Sequence, residues 1–254
     1  MKMALALNYT AASSNLPAFL ESWADGFTYR GNGWFNSVLD ASDQWISGTP
    51  IPVGAGNNDK SSVIVNGNDF SYTSGVVDGD VDTLELGSNL RYVQGSDRWV
   101  QDEGLRVDFS EATLTPAFST AITDLSQNGS LDALYAYFAE QGTEQFGTAG
   151  DDVMLSFAGN DEFTGALGND TFVFADGWSN DVILDFGTDV GNDDIIDLQA
   201  VTNIDGYIDL FFNHSNWWDS ANVLTITDGD NTLQLNGYVG TDIVNLILCG
   251  NILA

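Results

Sequence analysis

A repeat of nine residues, present three times between Gly147 and Val173, constrains the fold of this chain more than any other feature. The copies are GTAGDDVML, SFAGNDEFT and GALGNDTFV. In register they align glycines 150, 159 and 168, aspartates 152, 161 and 170, and the large apolar residues Met154, Phe163 and Phe172. Repeats this short stack into parallel β-structure, each copy supplying a turn and a short strand. The alternative is an ordinary series of acidic β-hairpins.

These columns resemble the RTX nonapeptide, which binds calcium between the turns of a parallel β-roll. Glycine permits left-handed turns, and carboxylates are the hard oxygen ligands that calcium prefers. The resemblance implies that Asp152 and Asp170 share one side of the roll and that Asp161 faces the other. The second glycine of the RTX pattern is replaced here by Thr148, Phe157 and Ala166. The candidate calcium ligands are Asp152, Asp161, Asp170, Asp151, Asn160, Asn169, Gly150, Gly159 and Gly168.

The residues after the repeats resemble the capping region of serralysin-type RTX proteins. Residues 181–186 (DVILDF) and 194–198 (DIIDL) match its D-x-I-x-D-F and D-x-I-D-L elements. An Asp228-Gly229 step predicts a hairpin within residues 222–238. The tail is similar to uncleaved signals for type I exporters. We therefore predict an all-β domain over residues 143–254, with a parallel β-roll, antiparallel capping strands and a C-terminal type I secretion signal.

The net charge of the chain limits the kinds of molecule that it can bind. The chain has 37 acidic and 6 basic residues, for a formal net charge of −31. Such a field repels nucleic acid and anionic lipid and attracts cations. With one histidine and one cysteine, oxygen is the abundant ligand, which favours calcium. No apolar run reaches the ~20 residues of a membrane span, and residues 1–7 are too short for a cleaved leader. We expect a secreted, extracellular protein with no membrane insertion and no nucleic-acid partner.

Residues 1–142 predict an α+β domain, an antiparallel sheet with helices packed on one face. Apolar spacing places helices at 16–26, from Pro116 onward, and after a Ser130 cap. The last of these should bury Leu134, Tyr135 and Phe138. An Asn66-Gly67 step predicts a hairpin within residues 63–73.

The same region resembles the HasA-type hemophores, secreted proteins that capture haem. The resemblance rests on LNYTAASSNLPAFLESWADGF (7–27), NGNDFSYT (66–73), DTLELGSNL (82–90) and NGSLDALYAYFAEQG (128–142). It implies that Tyr72 binds ferric haem iron through its phenolate. Haem or a haem protein, an outer-membrane receptor and a type I exporter are the partners that it implies.

Two positions depart from the family. Asp82 stands where the family has the histidine that assists the tyrosine, so Asp82, Asp80 or Asp78 would have to accept the phenol hydrogen bond. Asn32 stands near the position of the distal histidine ligand. We therefore expect iron held by Tyr72 alone or completed by water. Alternatively, Tyr72 is a packing residue and residues 78–82 are a solvated acidic loop. An aromatic set forms either a ligand groove or core: Trp34, Trp45, Trp99, Phe27, Tyr29 and Phe35.

Three classes of function remain: a haem carrier, a calcium-dependent adhesive or structural protein that does not bind haem, and a hydrolase. The hydrolase is the weakest. H-E-x-x-H and G-x-S-x-G are absent, and His214, which lies outside the first domain, is the only histidine. We predict that the chain is not an enzyme.

Overall fold

The computed structural model describes residues 5–28, 31–36, 42–52, 55–73, 76–109, 115–189 and 192–254, with backbone alone at 72, 73, 76, 188, 189 and 192. Contacts divide the chain into two units: residues 1–13 with 18–137, and residues 14–17 with 138–254. The main division between these units follows residue 137, whereas the sequence predicts a domain boundary after residue 142. None of the described helices combines the length and apolar character needed to cross a membrane.

The first unit is built on an antiparallel sheet with strand order β1-β6-β5-β4-β3-β2. Its strands are β1 (Leu5–Tyr9), β2 (Trp34–Phe35), β3 (Ser42–Gly48), β4 (Ser61–Thr73), β5 (Val76–Val93) and β6 (Arg98–Asp108). Its helices are α1 (Leu16–Gly26), α2 (Pro116–Asn128) and α3 (Asp132–Gln141); the division between the units falls within α1 and α3. The predicted mixed α+β class is confirmed.

Alternating residues of β5 and β6 form the core of this unit. Leu84, Leu86, Leu105 and Val107 are fully buried, as the period of two in a half-buried strand requires. Helix α2 packs against β5 and buries Phe118, Ile122 and Leu125, among others. On α3, Tyr137 is enclosed, whereas Tyr135, the residue predicted to be buried, is only half-buried. The prediction for Tyr135 is therefore wrong, and the tyrosine that enters the core lies two positions further along the helix.

The predicted Asn66-Gly67 hairpin is wrong. Strand β4 runs through both residues and pairs with β5 along its length, with a β-bulge at Asn66/Gly67. A Cβ on Gly67 would lie 1.9 Å from the Asp80 carbonyl oxygen. The glycine is thus needed for close approach of two strands, a role that it also plays at bulges.

The second unit contains two sets of short parallel strands. One runs β7 (Thr143–Phe146), β9 (Asp161–Thr164), β11 (Asn180–Ile183), β16 (Asn231–Val239); the other runs β8 (Val153–Leu155), β10 (Thr171–Ala175), β14 (Ile195–Ala200), β17 (Ile252–Leu253). Antiparallel partners are β15 (Val223–Asp228) beside β16, and the pair β12 (Thr188–Asp189) and β13 (Asn192–Asp193). Consecutive repeats therefore alternate between the two sets.

The apolar column fills the interior of this unit. Met154, Phe163, Phe172, Ile183 and Ile196 are all fully buried. Phe163 meets Phe172 edge to face, with ring centroids 5.8 Å apart.

The all-β prediction for residues 143–254 is wrong, because the unit contains helices α4 (Gly206–Asn213) and α5 (Ile243–Cys249). Helix α5 buries Ile243 and Leu246, one helical turn apart, and ends at Gly250, whose φ of 85° only glycine adopts readily. Both helices are short, and short apolar runs do not separate helix from strand by periodicity.

Candidate functional site

Each repeat ends its turn in a buried aspartate. Asp152, Asp161 and Asp170 are 1–2% exposed although each is charged in water at neutral pH. The preceding residues Asp151, Asn160 and Asn169 are exposed. Each turn therefore presents an outer and an inner side chain with different surroundings.

Asp152 and Asp170 lie on the same edge, and two hydrogen bonds that run in opposite directions join their turns. The Asp152 amide donates to Asp170 Oδ1 at 2.9 Å. The Asn169 amide donates to Asp151 Oδ1 at 2.8 Å. Asp170, buried in the later turn, and Asp151, exposed in the earlier turn, thus each accept a hydrogen bond. The two turns are therefore joined at the buried position and at the exposed position.

Asp161 lies in the other set of strands, with the same arrangement. Its amide donates to Asp181 Oδ1 at 2.8 Å, and the Asn180 amide donates to Asn160 Oδ1 at 3.2 Å. The paired hydrogen bonds therefore recur at each pair of stacked turns.

Asp181 and Asp194 also belong to this series, although the period of nine does not predict them. Both are 1% exposed, and Asp194 Oδ1 accepts the Asp170 amide at 2.9 Å. Each follows an Asn or Asp and precedes, by two positions, a buried isoleucine. That pattern was the available signal, but the spacing lengthens from 18 residues to 20 and 24 between stacked aspartates, which breaks the period of nine.

Two carboxylate oxygens on one edge are buried without a hydrogen-bond partner: Asp152 Oδ1 and Asp170 Oδ2. The other oxygen of Asp152 accepts bonds from the Thr148 amide and hydroxyl, at 2.6 and 3.0 Å. A Cβ on Gly165 would lie 2.2 Å from Asp170 Oδ2, so only glycine leaves room for that oxygen. A buried carboxylate oxygen without a donor is costly and calls for a cation or a proton.

The glycine column also allows close packing of the turns, against another turn at Gly168 and against helix α3 at Gly159. Gly168 has a φ of 125°, and a Cβ there would lie 2.5 Å from the carbonyl carbon of Gly150. At Gly159 a Cβ would lie 2.6 Å from the Ala139 oxygen, whereas at Gly150 there is room for one. Two of the three predicted glycines are therefore sterically required.

Burial raises the pKa of these aspartates. The pKa rises to about 6 for Asp161, about 7 for Asp170 and about 9 for Asp181, with desolvation as the largest cause in each. Near Asp170, the charges of Asp194, Asp152 and Asp185 add to the effect. The folded turns therefore favour neutral carboxyl groups unless a cation offsets the charge.

Clusters of three or more His, Cys, Asp or Glu side chains that could hold a metal ion are absent from the part of the chain that the structure describes. Any ion at the turns would thus need oxygen ligands from the backbone as well as from aspartates.

The predicted haem residues lie at separate places in the first unit. The backbone of Tyr72 pairs with Val77, and its side chain is outside the described residues. Asp82 is exposed, lies five positions from Val77 along β5, and its carbonyl accepts the Phe109 amide at 2.8 Å. Five strand residues span on the order of 15 Å. The backbone register therefore does not place Asp82 opposite Tyr72.

Asn32 is also exposed, and its oxygens have protein partners. Its carbonyl accepts the Trp45 indole N–H at 3.3 Å, and its Oδ1 accepts a bond from Gln127 at 2.8 Å. These bonds fix the loop beside the end of α2.

An apolar cleft of about 340 Å³ lies next to the strand partner of Tyr72. Phe70, Val77, Val81, Pro116 and Phe118 supply its apolar walls. A flat apolar ligand could rest there, between the β4–β5 ribbon and the start of α2.

The aromatic set divides between core and surface. Trp45 is buried, whereas Trp34 and Trp99 are partly buried and meet edge to face with centroids 5.3 Å apart. Phe27 and Phe35 are half-buried, and Tyr29 lies outside the described residues. His214 in the second unit contacts Asp209 Oδ2 at 3.2 Å.

Comparisons with known proteins give structural neighbours only. No family model and no curated protein matches the chain. Among solved structures, it is similar to the apo hemophore HasA from Yersinia pestis, with a TM-score of 0.43 and 15% identity over 57% of this chain and 98% of that one. The holo form of the same hemophore gives a TM-score of 0.42 and 14% identity over 57% of this chain and 100% of that one.

Proposed function

We propose that this chain is a secreted, extracellular protein whose second unit is a parallel β-roll that binds calcium at its turns. The observation that carries the proposal is the pair of buried, unpartnered oxygens, Asp152 Oδ1 and Asp170 Oδ2, in adjacent turns of one edge. A divalent cation would provide the positively charged partner that both oxygens lack.

The donor chemistry fits calcium. Calcium takes six to eight oxygen ligands and accepts backbone carbonyls beside carboxylates, so a site between two turns needs no cluster of three acidic side chains. Asp152 and Asp170 would hold the ion, with carbonyl oxygens of the glycine-rich turns completing the shell. The bound ion would offset the buried negative charge and join the two turns.

Thermal unfolding tests this proposal. In calcium the melting temperature should exceed that in chelator, by the equivalent of about 2.7 kcal/mol at 100 times the dissociation constant. Magnesium should stabilise less, because it demands a smaller octahedral shell. Equal melting temperatures in calcium and in chelator would refute the calcium roll.

For the first unit we propose ferric haem binding through Tyr72. The hemophore resemblance of residues 66–73 supports it, together with the apolar cleft beside Val77. A phenolate is a hard anionic ligand suited to Fe(III). With no histidine in the first 142 residues, iron itself would supply most of the acidification of Tyr72. The same proposal includes three partners: haem or a haem protein, an outer-membrane receptor and a type I exporter. It also states that the chain has no enzymatic activity.

A haemin titration followed by visible spectroscopy tests this second proposal. The wild type should give a tyrosinate-type spectrum, Tyr72→Phe should abolish it, and Tyr207→Phe, at an exposed site of the second unit, should retain it. A haemin spectrum unchanged by the wild-type protein would favour the alternative, a calcium-dependent adhesive protein that does not bind haem.

A further inference from the structure

We infer that the first unit binds a neutral hexopyranose saccharide in a polar cavity on the sheet formed by β3 to β6. The cavity has a volume of about 490 Å³, within the range of small-molecule sites. Its lining includes Gln44, Asn66, Glu85, Arg98, Trp99 and Gln101. Asp82, at the position of the family's histidine, also lies in this cavity, but the inference depends on neither Tyr72 nor the aspartates of the turns.

Hydrogen bonds hold the lining side chains in place. Gln44 Nε2 donates to Asn66 Oδ1 at 2.8 Å, and Gln44 Oε1 accepts the Trp99 amide at 2.8 Å. Asn66 Nδ2 donates in turn to Glu85 Oε1 at 2.8 Å, and Gln101 Nε2 donates to the Glu85 carbonyl at 2.9 Å. Asn66 uses both of its donors and both acceptor positions within the protein, and so holds its neighbours in place. The groups left for vicinal hydroxyl groups are Glu85 Oε2, the second N–H of the Gln101 amide and the remaining N–H groups of Arg98, which need not first lose side-chain freedom.

A polar outer face is ordinary for an antiparallel sheet, but such faces are normally solvated. Here Gln44 is 2% exposed and Thr83 is 4% exposed. Burial also raises the pKa of the Glu85 carboxyl. These groups line a recess that water only partly reaches, which distinguishes the cavity from a plain solvated strand face.

The charges in the cavity favour a neutral ligand. Arg98 pairs with Asp43 at 2.6 Å, and Arg106 pairs with Glu85 at 3.5 Å, so both guanidinium groups already have carboxylate partners. The net charge of −31 also disfavours anionic polysaccharides at long range. Asp82 and Glu103 are exposed carboxylates of the same cavity and would repel an anionic ligand.

Trp99 supplies the apolar surface that a pyranose needs. Its ring is supported by Trp34, at 5.3 Å, and by Tyr92, at 5.4 Å. A second cavity of about 530 Å³, lined by Trp34, Ile51 and prolines among others, shares Trp99 with the first. A pyranose has an apolar C–H face and a polar rim of hydroxyl groups, which matches an indole beside fixed amides. Two cavities around one tryptophan leave space for more than one ring.

Affinity electrophoresis of the calcium-loaded full chain tests the inference. The neutral probes are laminarin, mannan and galactan, and the anionic probe is alginate. At least one neutral polymer should retard the protein. Trp99→Ala should weaken that retardation at least tenfold, Trp99→Phe should largely retain it, and Trp218→Ala, at an exposed tryptophan of the second unit, should leave it unchanged.

A second variant keeps the result interpretable if Trp99→Ala loses its fold. Gln101→Ala removes one hydrogen-bonding side chain from the cavity and should also weaken binding. The melting temperature of this variant shows whether it is folded. Failure of all three neutral polymers to retard the wild type would overturn the inference, as would binding to alginate alone. Retardation that survives both Trp99→Ala and Gln101→Ala would also overturn it.

Discussion

Asp170→Asn should stabilise the protein without calcium and weaken its response to calcium. Asp170 Oδ2 accepts no hydrogen bond, and Oδ1 accepts the Asp152 amide, so asparagine can keep the one bond that the side chain makes. The substitution removes a buried charge at little structural cost.

The magnitude follows from the pKa. Moving a carboxyl pKa from about 3.9 to about 7 corresponds to about 4 kcal/mol in favour of the neutral form. The group lies at a turn edge, and screening there reduces the expected effect to ~2 kcal/mol. Because the folded pKa is raised, the wild type is unaffected below pH ~4 and loses stability as the pH rises toward 7. At pH 8 in chelator, the variant should therefore melt on the order of 8 °C higher.

Differential scanning calorimetry at pH 4 and pH 8, with chelator and with calcium, measures this. The gain should vanish at pH 4, and the rise on adding calcium should be smaller in the variant than in the wild type. Asp230→Asn, at an exposed hairpin position, is the matched control and should change neither. A lower melting temperature of Asp170→Asn in chelator at pH 8 would refute the reasoning, as would an undiminished calcium response.

Three further predictions concern single residues. Phe163→Ala should lower the free energy of unfolding by about 3–5 kcal/mol in denaturant titrations, because the ring is fully buried, and saturating calcium should leave that difference in place. Gly67→Ala should lower the melting temperature of the first unit, since its Cβ would lie 1.9 Å from the Asp80 oxygen, whereas Gly95→Ala, which meets no atom within 4 Å, should be tolerated. Glu85→Gln should gain stability relative to the wild type as the pH rises above ~4.3, because burial raises the pKa of the native carboxyl; a parallel pH dependence of the two proteins, by thermal melts, would contradict this.

The sequence predicted the turns best where the repeat was regular. Three aligned columns identified Asp152, Asp161 and Asp170, and the structure buries all three. Asp181 and Asp194 lie in the segment that the sequence predicts to be a cap, because longer turns displace them from the period of nine. Asp181 and Asp194 are buried because strands that are distant in the sequence pair with each other. A repeat period counted along the sequence does not reveal this pairing.

Local rules failed elsewhere for a similar reason. Asn66-Gly67 predicts a tight turn, but the pairing of β4 with β5 continues through it and uses Gly67 at a bulge. The polar cavity was not foreseen, because Gln44, Asn66, Glu85 and Arg98 come from four different strands. The sequence offers one aromatic set as either a ligand groove or core, and of that set Trp34 and Trp99 line the cavities described above.

The alternation of repeats between two strand sets restricts how the length of the second unit can change. A turn is hydrogen-bonded to the turn 18 residues away, not to its immediate neighbour in sequence. Loss of one nine-residue repeat would move every later aspartate to the opposite edge and separate it from its partner. Loss or gain of two repeats together would preserve every pairing, as in other stacked-repeat proteins where stability is a sum over neighbours. Viable insertions and deletions in the regular part of this unit should therefore come in steps of 18 residues.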